Sequence, residues 1–244
     1  MKVDFHVHSI ESSDGTATLC HIAMAAAKAG LDAVCICDHN KQTLEEPVFM
    51  EGVWLLPGCE FSAEREHILG ILPDKKLNVK ALCEGENLPS PKAVIDEIHA
   101  CGGIAVVAHP YAHGAKDSWS YDNLKAVPDA LECANARAWM KDSEANEKAK
   151  KTAADNCLPM TGGSDSHLTD ELGNAYTVVD CGDINGIKQA VKDGRTEAVL
   201  VNNTKRIYKG YSMLEKRNKS GRSGEKMKGL IYLTKCWLYD LLKK

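Results

Sequence analysis

The feature that most constrains this chain is a repeated one: a short apolar run, rich in β-branched residues or cysteine, closes on a histidine or a carboxylate. Val3-Asp4-Phe5-His6-Val7-His8 is the first case. Ala33 to Cys37 leads into Asp38-His39, Val53 to Cys59 into Glu60, and Ile104 to Ala108 into His109-Pro110. Ala130-Leu131 runs into Glu132, and Leu158 to Ser164 into Asp165-Ser166-His167. Continuous apolar runs of this length fit strands buried on both faces, as in a parallel sheet. Helical stretches lie between them: Thr18 to Ala29 with Gly30 as C-cap, Pro91 to Cys101 closed by Gly102-Gly103, and Ser143 to Asn156. Strands alternating with helices argue for βα units. Where each strand leaves a polar residue at its C-terminal end, those ends converge on one site, the arrangement of a (β/α) barrel. An open doubly wound sheet is the alternative, but its site would draw on fewer strands.

The pattern continues with a strand over Asn174 to Val179, a helix over Asp183 to Lys192 and a strand over Thr196 to Val201. Beyond Thr204 the character changes. Lys216 to Lys228, rich in Lys, Arg, Gly and Ser, reads as a flexible linker, and Leu230 to Leu242 as an apolar-aromatic amphipathic helix. The chain thus divides into a barrel unit over residues 1–204 and a basic linker with its terminal helix over 205–244. The second segment holds 12 basic and 3 acidic side chains, so the formal −4 of the chain conceals +9 there against −13 elsewhere. A carboxylate-rich body suits cation binding. For the basic segment three partners compete: nucleic acid, an anionic membrane surface, and the acidic body of another subunit. The plainer reading is a terminal helix packed on the barrel, and the segment lacks the interleaved aromatics of a base-stacking platform.

At 244 residues the chain can bury one large core. No apolar run reaches the length needed to span a bilayer. Met1 to His6 carries acidic and imidazole groups where a signal peptide needs an apolar stretch, so a cytoplasmic protein is the simplest expectation. Ten cysteines without a Cys-x-x-Cys pair read as free thiols of a reducing compartment, not as a zinc ribbon.

His6-x-His8 on a strand puts both imidazoles on one face, about 7 Å apart along the backbone. Asp165-x-His167 has the same period. Of nine histidines, His6, His8, His39, His67, His109 and His167 fall at or just after strand-like runs, and Asp14, Asp38, Glu60 and Asp165 hold comparable positions. Mixed imidazole and carboxylate donors suit Zn²⁺, Mn²⁺ or Fe²⁺. The candidates are too many for one ion, so two or three are expected, and a carboxylate such as Glu60 can bridge them. His21 and His99 sit within helical stretches and read as structural.

The ordered series His6-x-His8, Ser13-Asp14-Gly15, Asp38-His39, Gly58-x-Glu60-x-Ser62, His67-x-Leu69-Gly70, His109-Pro110 and Gly163-Ser164-Asp165-Ser166-His167 resembles the PHP (polymerase and histidinol phosphatase) superfamily. Leu172-Gly173 and Ala175 to Val178 resemble the PHP-associated C-terminal region. The resemblance implies a distorted (β/α)₇ barrel with a trinuclear centre. It implies one ion on His6, His8, Glu60 and Asp165, a second on Glu60, His67 and His109, and a third on Asp14, His39 and His167. Several family members have His at the position of Asp14. Asp38 reads as an orienter of a ligand histidine.

Clustered divalent metals lower the pKa of bound water and neutralise phosphoryl charge. Hydrolysis of a phosphate ester by a metal-bridging hydroxide is the expected reaction, with Glu60, Asp38 and His113 as the catalytic candidates. His113 or Asp38, or a metal-bound water, would protonate the leaving oxygen. Arg137 suits a bidentate phosphate contact, with Ser166, Arg65 and Glu132 as further substrate candidates. Only 42 positions separate His67 from His109, leaving no room for the inserted lid of family members that cleave nucleotides or oligonucleotides. A small-molecule phosphomonoester is therefore the first substrate expectation, and phosphodiester or oligonucleotide processing the second. A C–N amidohydrolase and a non-catalytic metal-binding scaffold are the readings from other classes.

Overall fold

The computed structural model describes residues 1–83, 87–112 and 120–242. The chain opens with β1 (Lys2–Val7), α1 (Leu19–Lys28), β2 (Ala33–Ile36), the short β3 (Val48–Met50), β4 (Val53–Ser62) and β5 (His67–Ile71). There follow α2 (Val79–Cys83), α3 (Pro91–Ala100), β6 (Ile104–Ala108), β7 (Ala130–Asn135), α4 (Ala145–Asp155) and β8 (Met160–Gly163). β9 (Ala175–Val179), α5 (Ile187–Lys192), β10 (Thr196–Leu200), α6 (Arg206–Lys219) and α7 (Glu225–Leu242) complete it.

The sheet runs β10-β9-β1-β2-β4-β5-β6-β7-β8, with β3 against β4. Just beyond β8, Ser166 bridges Val7 in parallel and accepts a hydrogen bond from the His8 amide at 2.8 Å. The wall β1-β2-β4-β5-β6-β7-β8 therefore comes almost full circle, a distorted (β/α)₇ barrel. Val3, Phe5, Cys35, Leu56, Leu69 and Val106, from five of these strands, pack into one buried cluster beneath the site, and Ile187, Ala190 and Val191 of α5 join it.

The distortion has a local cause. β5 runs antiparallel to both β4 and β6, with His67 opposite Ser62 and Ala108. A hairpin replaces one helical crossover, so β5 presents its first residue at the rim where every parallel strand presents its last. β8 makes a close approach that only glycine permits: a Cβ on Gly163 would stand 2.5 Å from the His6 Cβ and 2.9 Å from Glu132 Oε1. Helix ends follow their sequence signals. Thr18 and Ser90 accept hydrogen bonds from the His21 and Ala93 amides at the starts of α1 and α3. Each such cap contributes about 1 kcal/mol.

The segment beyond Thr204 departs from expectation. Lys216 to Lys228 is not a linker: it comprises the last turn of α6, a short turn, and the start of α7. The two helices pair closely, because a Cβ on Gly210 would meet Leu233 Cα at 3.0 Å and one on Gly229 would meet Leu214 Cα at 3.1 Å. Among the described residues no helix is long and apolar enough to cross a membrane.

Candidate metal centre

β1 carries His6 and His8 to the rim, where their Nε2 atoms stand 3.1 Å apart. Both face Asp165 Oδ1, at 3.6 and 3.4 Å. Glu60, on β4, is the hub of the site. Its Oε1 lies 2.7 Å from His67 Nδ1, 3.2 Å from His109 Nε2 and 3.5 Å from His6 Nε2. Its Oε2 lies 2.7 Å from His39 Nδ1 and 3.4 Å from His8 Nε2. Asp14 Oδ1 stands 3.5 Å from both His39 Nε2 and His167 Nε2. All nine side chains expected at metals are thus brought together, from the rim of β1, β2, β4, β5, β6 and β8 and from the loop after β1.

Donor chemistry supports a fit to divalent cations. Four triads, His6-His8-Asp165, His6-Glu60-His109, His39-Glu60-His67 and His8-His39-His167, each have their donor atoms within 4.8 Å of one another. Glu60 Oε2 is buried between His39 Nδ1 and His8 Nε2, so in the metal-free protein its charge is met by imidazole alone. Two donors also hold strained backbones, His109 at φ 30° and Asp165 at φ 54°. L-residues at positive φ cost on the order of 1–3 kcal/mol, and such strain concentrates at functional sites.

The protonation pattern follows from crowding. Burial would raise Glu60, but His67, His39 and His6 hold it well below the usual carboxylate range. Burial likewise opposes the charge on His39, yet Glu60 and Asp14 draw it up to about 10. His6 rises against burial through Glu132, Asp165 and Glu60. His8 falls to about 3 through burial and the neighbouring His167 and His39. The carboxylates here gather positive charge, as protons without metal or as cations with it.

Around this cluster stand residues that aim it. Glu132 Oε1 meets His6 Nδ1 at 3.1 Å, and its Oε2 accepts the His109 amide at 2.8 Å and Asn135 Nδ2 at 3.0 Å. Glu132 therefore orients donors; it is almost wholly buried and is not part of the cavity wall. Asp4 Oδ1 accepts the amides of His6 and Ser164, joining β1 to the end of β8, and burial pushes its carboxyl up to about 7. Asp38 departs from its expected roles as catalytic acid and as orienter of a histidine. Its carboxylate is buried and engaged by the Ser9 amide and hydroxyl, both at 2.7 Å, and by the Thr43 hydroxyl at 2.5 Å. It ties down the loop after β1.

Arg137 is likewise spent on the protein. Its Nε and Nη2 donate to Glu171 at 2.7 and 2.6 Å, and Nη1 reaches Ser212 at 3.3 Å. Glu171 Oε2 in turn accepts the amides of His167 and Leu168, both at 3.0 Å. The pair braces the His167 turn, while Arg137 also lines the cavity. Ser166 is buried and serves through its carbonyl, and Arg65 is exposed; neither lines the cavity. His113 lies outside the described residues. His99 pairs with Asp129 at 2.9 Å, and His21 sits in the first turn of α1, away from the site.

A cavity of about 370 Å³ opens over the cluster, and one of its walls is α6, which supplies Lys209, Ser212, Met213 and Lys216. The sequence reading missed this wall. Its signal was present, since positions 209, 212, 213 and 216 share one helical face. Lys216 Nζ stands 3.5 Å from Asp14 Oδ2. Lys209 is half-buried and pushed down to about 8 by burial and then by Lys141 and Arg137. Asn135, also missed, reaches Asp165 Oδ2 at 3.5 Å.

Comparison with known proteins agrees with this architecture. Residues 143–196 match the PHP-associated family. That stretch begins earlier than the motif resemblance indicated and includes Asp165 and His167. The uncharacterized protein MJ0417 of Methanocaldococcus jannaschii is 28% identical over 182 residues, covering 72% of this chain and 69% of that one. Among solved structures, a two-domain protein from Bacteroides vulgatus containing a predicted PHP-like metal-dependent phosphoesterase superposes with a TM-score of 0.64 at 22% identity, over 82% of this chain and 64% of its own. The lesion-specific endonuclease PfuEndoQ from Pyrococcus furiosus gives 0.61 at 20% identity, over 81% of this chain and 57% of its own. This chain thus spans less than two thirds of either solved relative. The fold is that of PHP proteins, with a PHP-associated segment within it.

Proposed function

We propose that this chain is a PHP-type metal-dependent phosphoesterase whose substrate is a small phosphomonoester. The observation that carries the reading is the convergence of five imidazoles on Glu60, with Asp165, Asp14 and His167 beside them, at a cavity open to small ligands. Nitrogen and oxygen donors in this mixture favour Mn²⁺, Zn²⁺ or Fe²⁺. His6, His8, Glu60 and Asp165 would hold one ion, Glu60, His67 and His109 a second, and Asp14, His39 and His167 a third. Such ions, when bound, supply an activated water at neutral pH and charge neutralisation for a phosphoryl group.

The chain's own residues supply the rest. Glu132 and Asn135 fix the donors His6 and Asp165, and the Arg137–Glu171 pair fixes the His167 turn. Lys141 and Lys209 line the cavity, and among the described residues neither has a carboxylate partner. A monoester dianion carries one more charge and one more free oxygen than a diester, so two lysines at the cavity wall favour the monoester. They also favour phosphate over a neutral amide. The endonuclease likeness motivates the diester alternative, but α6 narrows the cavity to a size suited to small molecules.

The test is hydrolysis of a panel of monoesters, diesters, short oligonucleotides and amides with Mn²⁺, Zn²⁺ or Fe²⁺, read as phosphate release for the monoesters and as chromatographic product formation for the others, repeated with His8→Ala. Monoester turnover lost in His8→Ala is expected. Diester or amide turnover alone would overturn the substrate reading. A metal-loaded protein inert on the whole panel would return the scaffold reading.

A further inference from the structure

The loop after β1 carries Asp14, and α6 holds that loop from outside. Lys219 Nζ donates to three of its carbonyls, Ile10 O at 2.8 Å, Ser12 O at 2.9 Å and Gly15 O at 2.8 Å. It also faces Glu215 Oε1 at 3.7 Å, one turn back on α6. The loop is therefore wrapped around an ammonium that comes from more than 200 residues away in sequence. One turn nearer the cavity, Lys216 Nζ faces Asp14 Oδ2, while Oδ1 of the same carboxylate faces His39 and His167. Asp14 thus stands between two inward imidazoles and one outward cation.

We infer that α6 sets cation affinity at the Asp14 position through two lysines of opposite effect, Lys219 holding the loop in its binding shape and Lys216 opposing the cation. The inference rests on the multinuclear reading above and concerns one of its three positions. Lys219 acts by geometry. Without its ammonium, three carbonyls lose a shared donor and Asp14 is held toward His39 and His167 less firmly. Groups that orient ligands in this way typically change metal affinity by about 10–100-fold. Lys216 acts by charge. A divalent ion on Asp14 Oδ1 would lie near a like charge on the same carboxylate, and removing a half-exposed ammonium relieves that repulsion by a small factor, about two- to fivefold. Among the described residues neither lysine touches Glu60, so the inner positions serve as internal controls.

The experiment is titration of the metal-free, full-length protein with Mn²⁺, with free ion followed by electron paramagnetic resonance. His167→Ala marks the binding phase that belongs to the Asp14 position. In Lys219→Met that phase should weaken at least tenfold, and amide hydrogen exchange over residues 9–17 should quicken. In Lys216→Met the same phase should tighten about two- to fivefold. The other phases should stay at wild-type affinity in both, which also shows that the variants fold. Three ions in the wild type with both variants titrating identically to it would overturn the inference and leave the multinuclear reading standing. A wild-type chain that takes only two ions would overturn the inference and leave a binuclear centre standing, and one that takes fewer than two would overturn both.

Discussion

Replacing Arg137 with Met separates a bracing role from a substrate-binding one. The guanidinium makes two short hydrogen bonds to Glu171, and the side chains are only 10% and 0% exposed. Arg137 stays charged despite burial because Glu171 lies against it. Removing one partner of such a buried pair strands the other charge, at a cost of about 3–5 kcal/mol. For a chain of this size each kcal/mol lowers Tm by roughly 2–4 °C, so a fall of about 6–20 °C is expected. In Arg137→Met with Glu171→Gln no charge is left buried, and much of the loss should return. Thermal melts of the wild type, both single variants and the double give the coupling directly. With Arg137→Met melting at the wild-type temperature and phosphate inhibition abolished, the bracing role would be wrong and Arg137 would belong to the substrate.

Lys209→Met should raise KM for a monoester about tenfold while leaving diester turnover near its original level; equal losses on both would remove the charge-selection argument. Gly163→Ala should cost at least 2 kcal/mol and lower metal content, because its methyl collides with His6; melting and metal analysis check this, and a wild-type result would mean that β8 can shift. Metal uptake should release protons, since His39 is held protonated up to about pH 10 in the metal-free protein and must lose its proton to bind. Affinity should then climb as pH rises from 6 toward 9, with proton release read in weakly buffered solution; uptake without proton release would contradict the charge pattern. The sign for stability is opposite. In the metal-free protein the raised pKa of His39 stabilises the fold fully below about 6.5, and that contribution fades as pH rises through about 10.

The donors were legible because each is written at short range. A parallel strand buried on both faces is a continuous apolar run, and the residue that ends it stands at the rim, so His39 and His109 could be read almost from their neighbours. His67 obeyed a different rule. It begins its strand, because β5 runs backwards in a hairpin, and periodicity carries no sign of strand direction. The residues around the donors were harder to place. Arg137 and Asp38 have the chemistry of substrate or acid groups, and only their partners, Glu171 and Ser9, show that they are engaged elsewhere. The helix α6 was hidden for another reason. It buries Gly210 and Ser212, not large apolar residues, so its packed face reads in sequence as the composition of a linker.

The apolar side of α7 keeps Met227, Leu230, Ile231, Trp237, Leu238 and Leu241 exposed. The barrel contact expected of the terminal helix is made in part by α6 instead, through Lys216 and Lys219. The basic charge of that helix is directed in part at the site.

The central claim is that Glu60 stands at the middle of a multinuclear centre. Anomalous diffraction at the manganese edge, from crystals grown with Mn²⁺ and without chelator, tests it most directly. The account predicts peaks on both sides of the Glu60 carboxylate and a further, weaker one between Asp14, His39 and His167. A single peak away from Glu60, or none within reach of its oxygens, would contradict it.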